Sequence, residues 1–237
     1  MKRAFPFLML FCRLGLFAAF QALIALFFLS RGSSDPWNQS ERLWIISGFL
    51  TNVVVFIILF RFLRTEKQGY FEGLRFIKDD WWKDLLITIG FLAIAAPLTY
   101  FPNVLLSGAL FGSQEAAAAL FFRPVPLWVL VIGVFWALTQ GLVELPTYFS
   151  YIMPRIEKTL RSGWLAWVLA SFFLSLQHIA IPLIFNLDFI LWRFGMFLPF
   201  AFFIGLCIKL RPRLFPYLMI SHAIMDLGVL PMYFQLL

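Results

Sequence analysis

Long apolar runs separated by short polar punctuation dominate the chain. A helix that crosses a bilayer needs about 20 mostly apolar residues. Seven runs reach that length, at 4–30, 43–63, 84–102, 126–153, 163–182, 188–208 and 213–236. An eighth apolar stretch, NVLLSGALFGSQEAAAALFF at 103–122, reads as a partial or re-entrant insertion. The pattern predicts an all-α fold: a polytopic transmembrane helical bundle of seven to eight spans. It forms a single integral-membrane domain over 1–237, with the first spans and an interfacial loop in 1–125. Residues 126–237 carry the helices with polar positions inside them.

Composition agrees with the pattern. The chain is 62% hydrophobic and 13% charged, against roughly 45–50% and about 25% for soluble domains. A net charge of +7 would suggest nucleic acid in a soluble protein. Here 14 of the 19 basic residues fall in loops on one side of a seven-span arrangement, so no nucleic-acid partner is expected. They include Lys2, Arg3, Arg64, Lys67, Arg75, Lys78, Arg155, Lys158, Arg211 and Arg213, whereas the opposite loops carry Arg31, Arg42 and Arg123. The positive-inside rule then places the N-terminus in the cytoplasm of a cell whose membrane the chain spans. A full extra span at 103–122 would invert everything after it and spoil this asymmetry.

The first apolar run is long and lacks a small-residue cleavage site, so it is expected to remain as a span. Cys12 and Cys207 lie in apolar segments, without disulfide or metal-ligand spacing. The loop RTEKQGYFEGLRFIKDDWWKD at 64–84 reads as an amphipathic interfacial helix anchored by Trp81 and Trp82.

Ionisable side chains at the centre of a span cost roughly 2.5–3.5 kcal/mol each. Glu144, His178, His222 and Asp226 together would cost on the order of 10 kcal/mol if they faced lipid, comparable with the stability of a whole domain. They must face the bundle interior or water. Gln140, Glu144, Tyr148 and Tyr151 form one stripe at helical spacing; Ser171, Ser175 and His178 form a second; His222 and Asp226, at i and i+4, form a third. Counted from one side of the membrane, Glu144 lies about 16 Å in, His178 about 22 Å and His222 about 13 Å. These depths are close to the midplane of a core about 30 Å thick.

One carboxylate, two imidazoles and a second carboxylate suit several chemistries. A partly desolvated glutamate can serve as general base toward water, a facing histidine can hold the water or pass the proton, and a second histidine can donate to an oxyanion. Glu, His, His is also a catalytic zinc set, although no H-E-x-x-H signature is present. Buried Glu and His equally suit proton-coupled transport, or simple interhelical hydrogen bonding. Pro146 removes its own N–H bond to the carbonyl of Leu142 and kinks its helix. Asp188 and Arg193 read as interfacial. Arg13 either faces the bundle or marks a later start of the first span, and it is assigned no function.

The order of these motifs resembles the CPBP intramembrane proteases, which include the CAAX prenyl endopeptidases and the bacterial Abi proteins. Their pattern is E-E-x-x-x-R, then F-x-x-x-H or a variant, then H-x-x-x-N/D, on three membrane helices. The second appears as FFLSLQH ending at His178, and the third as HAIMD, His222 to Asp226. In the first, with Glu144 as leading glutamate, Leu145 replaces the second carboxylate and Phe149 the arginine. The alternative register makes Val143 the lost first glutamate and Tyr148 the replaced arginine. The downstream YIMPRI, with Tyr151, Pro154 and Arg155, lines up without a gap only in the former. The resemblance covers roughly 126–236. It implies an endopeptidase acting on a membrane-associated peptide or protein through water activated by Glu144 and His178, with His222 and Asp226 at the oxyanion and no metal or cofactor. A catalytically weakened membrane scaffold and a proton-coupled transporter are the alternatives.

Overall fold

A computed structural model describes residues 5–234, so the basic residues Lys2 and Arg3 and the end of the last expected span lie outside the described residues. The elements are α1 (Phe5–Ser30), α2 (Pro36–Glu41), α3 (Trp44–Thr65), α4 (Trp81–Phe111), α5 (Gln114–Phe121) and α6 (Leu127–Leu145), followed by α7 (Met153–Leu160), α8 (Gly163–Leu176), α9 (Leu187–Leu210), α10 (Phe215–Leu227) and α11 (Pro231–Phe234). A π-helical segment, Pro146–Ile152, fuses α6 to α7. No strand occurs among the described residues. Among the described residues six helical stretches are long and apolar enough to cross a membrane: α1, α3, α4, Leu127–Leu160, α9 and Pro212–Tyr233. This is the make-up of a multi-pass helical membrane protein.

The remaining expected span, 163–182, is shorter than predicted. α8 ends at Leu176, and a 3-10 turn, Gln177–Ile179, closes it. The following backbone is irregular, and polar side chains satisfy it: Gln21 Nε2 donates to the Leu183 carbonyl at 2.8 Å, and Leu183 N donates to Gln21 Oε1 at 2.7 Å. Trp37 Nε1 adds a 3.1 Å bond to the same carbonyl. Non-helical backbone at this depth requires such partners, because lipid offers none.

Two further expectations change. The stretch 103–122 is not one inserted element: residues to Phe111 extend α4 straight through Pro97 and Pro102. Gly112, with φ +80°, then ends the helix, and Ser113 caps α5. The loop at 66–80 is not an amphipathic helix. It holds only a 3-10 turn, Glu72–Leu74, and left-handed backbone at Lys67 and Asp80, consistent with glycines at 69 and 73 and paired aspartates that disfavour a helix. Trp81 and Trp82 instead open α4, where both are exposed.

Packing follows the buried stripes. In α1 the buried residues Met9, Arg13, Phe17, Gln21 and Ala25 recur every fourth position. α6 lies between α3 and α10, and α9 lies between α4 and α8. One set of loops is tied by Arg155 to Glu66 and by Arg213 Nε to Asp84 Oδ2 at 2.8 Å. The opposite set is tied by Arg123 Nη2 to Glu41 Oε2 at 3.0 Å and by Arg42 Nη2 to the Pro124 carbonyl at 3.2 Å. The apolar core divides into two clusters, one containing Leu10, Val55 and Val143, the other Phe17, Ile45 and Ala137. Along α1, α3 and α6 the polar residues Arg13, Asn52 and Gln140 fall between these clusters, so the core contains a polar layer.

Candidate functional site

Arg13 organises the polar layer. Its side chain is fully buried, and each guanidinium nitrogen donates to a different element. Nε bonds Gln177 Oε1 at 2.6 Å, Nη1 bonds Asn52 Oδ1 at 2.9 Å, and Nη2 bonds Gln140 Oε1 at 2.9 Å and Glu144 Oε2 at 3.4 Å. Asn52 Nδ2 continues the network to Thr139 Oγ1 at 3.1 Å. A buried cation needs such a shell, since isolated charge is costly in this environment. Arg13 had no role in the sequence reading; an arginine nine residues into a 26-residue apolar helix was the available signal.

Glu144 is 1% exposed and accepts from Arg13, from Gln140 Nε2 one turn earlier on its own helix, and from His222 Nε2 at 3.1 Å. Carboxylate oxygens only accept when ionised, and all three neighbours present N–H groups. His222 reaches Glu144 because α10 runs unusually close to α6. A Cβ added at Gly141 would sit 2.6 Å from the Met219 carbonyl oxygen and 2.7 Å from Ala223 Cβ. Small residues allow this close helix approach in membranes. Asp226, one turn after His222, lies 3.5 Å from the same Nε2, within ion-pair reach but without hydrogen-bond geometry. Both carboxylates thus face one imidazole nitrogen, and His222 Nδ1 is buried without a partner.

His178 stands at the end of α8, in the 3-10 turn. Its Nδ1 lies 2.9 Å from the Leu174 carbonyl. A carbonyl only accepts, so Nδ1 carries the proton and Nε2 is left as the ring's acceptor. The ring stacks on Phe197 with centroids 3.8 Å apart. Its hydrogen bonds go to backbone carbonyls and not to Glu144; the carboxylate's histidine hydrogen-bond partner is His222.

A cavity of about 380 Å³ joins these groups: Gln140, Glu144, His178, His222 and Asp226 all line it. The other predicted stripe members do not. Ser175 Oγ donates to the Phe194 carbonyl at 2.6 Å, tying α8 to α9, and the Ser171 and Tyr148 hydroxyls are buried away from the cavity without partners. Tyr151 stacks under the Arg155 guanidinium at 3.8 Å. Among the described residues no group of three or more His, Cys, Asp and Glu side chains is arranged to hold a metal ion.

Pro146 leaves the Leu142 carbonyl without its usual helical donor, and the hydroxyl of Tyr70 donates to that carbonyl. Tyr70 comes from the loop between α3 and α4, and its burial pushes the phenol above its ordinary range, keeping the donor proton in place. Arg193, expected at an interface, is buried at 5% exposure and lines the cavity. Six residues after the start of α9, its side chain turns inward against Phe121, Trp192 and Phe197.

No protein-family model, curated protein or solved structure matches this chain.

Proposed function

We propose that this chain is an intramembrane endopeptidase of the CPBP kind, hydrolysing a peptide bond of a membrane-associated peptide or protein, with its N-terminus in the cytoplasm. The observation that carries the reading is the convergence of Glu144, His178, His222 and Asp226, from three separate helical segments, on one cavity between membrane-length helices. In this mechanism Glu144 takes a proton from a cavity water whose oxygen adds to the scissile carbonyl carbon. His178, with Nδ1–H committed to Leu174, offers Nε2 to the same water. Once Glu144 is protonated, the Nε2–H of His222 is released toward the developing oxyanion, and Asp226 holds the imidazole. Collapse breaks the C–N bond as the proton from Glu144 passes to the leaving amine. Arg13 and Gln140 are positioning residues: both donate to the carboxylate and fix its direction. Arg13 also supplies from α1 the guanidinium that Phe149 does not provide.

A second reading is favoured by the saturation of Glu144. A carboxylate held by three donors and almost fully buried suits a structural clasp in a membrane scaffold. Incubating detergent-purified protein with a library of membrane-proximal peptides separates the two. The endopeptidase cleaves some of them, and Glu144→Gln and His178→Ala abolish cleavage while remaining folded. Equal cleavage by either variant overturns the assigned site, and no cleavage by the wild type favours the scaffold.

A further inference from the structure

We infer that the cavity binds a single-chain membrane amphiphile through its anionic head group, a carboxylate or phosphate, received by Arg193. This goes beyond the hydrolytic reading and does not depend on it.

Arg193 is a buried cation without a buried anion. No carboxylate among the described residues pairs with it; Asp188, on the same helix, is exposed. Its neighbours are neutral. Nη2 donates to the Ile181 carbonyl at 3.1 Å, Nη1 lies 3.8 Å from the Met196 sulfur, and Nε is buried with no partner at all. Phe121, Phe197 and Trp192 face the guanidinium at 4.4, 4.9 and 5.7 Å. Aromatic faces of this kind stabilise a desolvated guanidinium, but they consume none of its five N–H donors. Arg13 makes the contrast: it is equally buried, yet every nitrogen has an oxygen partner. The Nε–H and the second hydrogen of each terminal nitrogen remain, and guanidinium donors are the chemistry that recognises carboxylate and phosphate.

The rest of the cavity fits the apolar part of such a ligand. Trp136, Met196, Phe200, Met225 and Met232 line it, and Met225 and Met232 are also exposed, so it reaches the molecular surface beside α10. Glu144 and Asp226 also line the cavity and repel a negative head, which leaves Arg193 as its seat. Arg193 lies six residues, about 9 Å, along α9 from its start. The volume of about 380 Å³ is that of a small-ligand site.

The test measures binding of palmitate, single-chain lysophosphatidate, hexadecanol and inorganic phosphate to the full-length protein in a non-ionic detergent. The expected result is that at least one anionic amphiphile binds about tenfold or more tighter than hexadecanol, the scale of a charge-assisted hydrogen bond. Arg193→Gln removes that preference, and Arg193→Lys, which keeps the charge but not the fork, retains part of it. Which of the two amphiphiles prevails identifies the head group. Equal binding of hexadecanol to the wild type overturns the inference even if Arg193→Gln does not fold. A preference that survives Arg193→Gln overturns it too, as does inorganic phosphate binding as tightly as lysophosphatidate.

Discussion

The guanidinium of Arg13 in the first helix meets the carboxylate of Glu144, 131 residues later, at 3.4 Å in the core. The contact makes the orientation of the central carboxylate depend on α1, outside the part of the chain where motifs are recognisable. Breaking a buried pair by removing one partner leaves the other charge uncompensated, at about 3–5 kcal/mol. Arg13→Met is therefore expected to destabilise the protein by that amount, whereas Arg13→Met combined with Glu144→Leu recovers much of it. Unfolding of the detergent-solubilised variants, analysed as a double-mutant cycle, measures the coupling; additive losses would mean that the pair is not coupled.

Close approach of α10 to α6 should be equally testable. Gly141→Ala inserts a methyl group 2.6 Å from the Met219 carbonyl oxygen, and overpacking of this kind costs about 1–3 kcal/mol. It also pushes His222 away from Glu144, so any Glu144-dependent activity falls with it. Gly15→Ala is the matched control: an added Cβ there meets nothing within 4 Å, and the helix is expected to be as stable or slightly more so.

The Tyr70 hydroxyl substitutes for the amide hydrogen that Pro146 lacks. Tyr70→Phe leaves the Leu142 carbonyl unsatisfied at about 1–3 kcal/mol. In a Pro146→Ala background, where a backbone donor is restored, the same substitution should cost less. Thermal unfolding of the four proteins checks this, and an identical cost in both backgrounds contradicts it.

Glu41 gives a pH dependence. Burial raises its carboxyl above the ordinary value of 4.5, and Arg123 only partly opposes the shift. The folded state therefore holds the proton more tightly than the unfolded one. The stabilisation is complete below pH 4.5 and is lost as pH rises through the raised folded value. Between those two values, wild type should lose stability relative to Glu41→Gln as pH rises. A difference that is flat or grows in the opposite direction in unfolding curves would contradict this.

The helical membrane character and the inward-facing ionisable residues were legible because lipid forces both: apolar length marks candidate spans, and a charge at mid-depth must face inward. The expected seven to eight spans were not: six stretches of membrane length occur among the described residues. The placement of Glu144, His178, His222 and Asp226 on one cavity followed from depth and spacing alone. What was not legible depends on tertiary contacts. Spacing on α10 puts Asp226 beside His222, but only the close approach at Gly141 makes His222, rather than His178, the partner of Glu144. Arg13 and Arg193 look alike as single arginines in apolar runs. Their neighbours from distant segments decide that one is saturated with oxygen acceptors and the other surrounded by rings. Apolar length alone could not reveal that α8 stops at Leu176, since its end rests on Gln21 and Trp37 holding the loop behind it.

The most direct test of water activation by Glu144 is a single-turnover cleavage in ¹⁸O-labelled water, with excess purified protein over a membrane-proximal peptide that it cuts. The account predicts one ¹⁸O in the new carboxylate of the product from the first turnover, and none of that product from Glu144→Gln. Labelled product formed equally well by Glu144→Gln, or a first-turnover product without ¹⁸O, would contradict it.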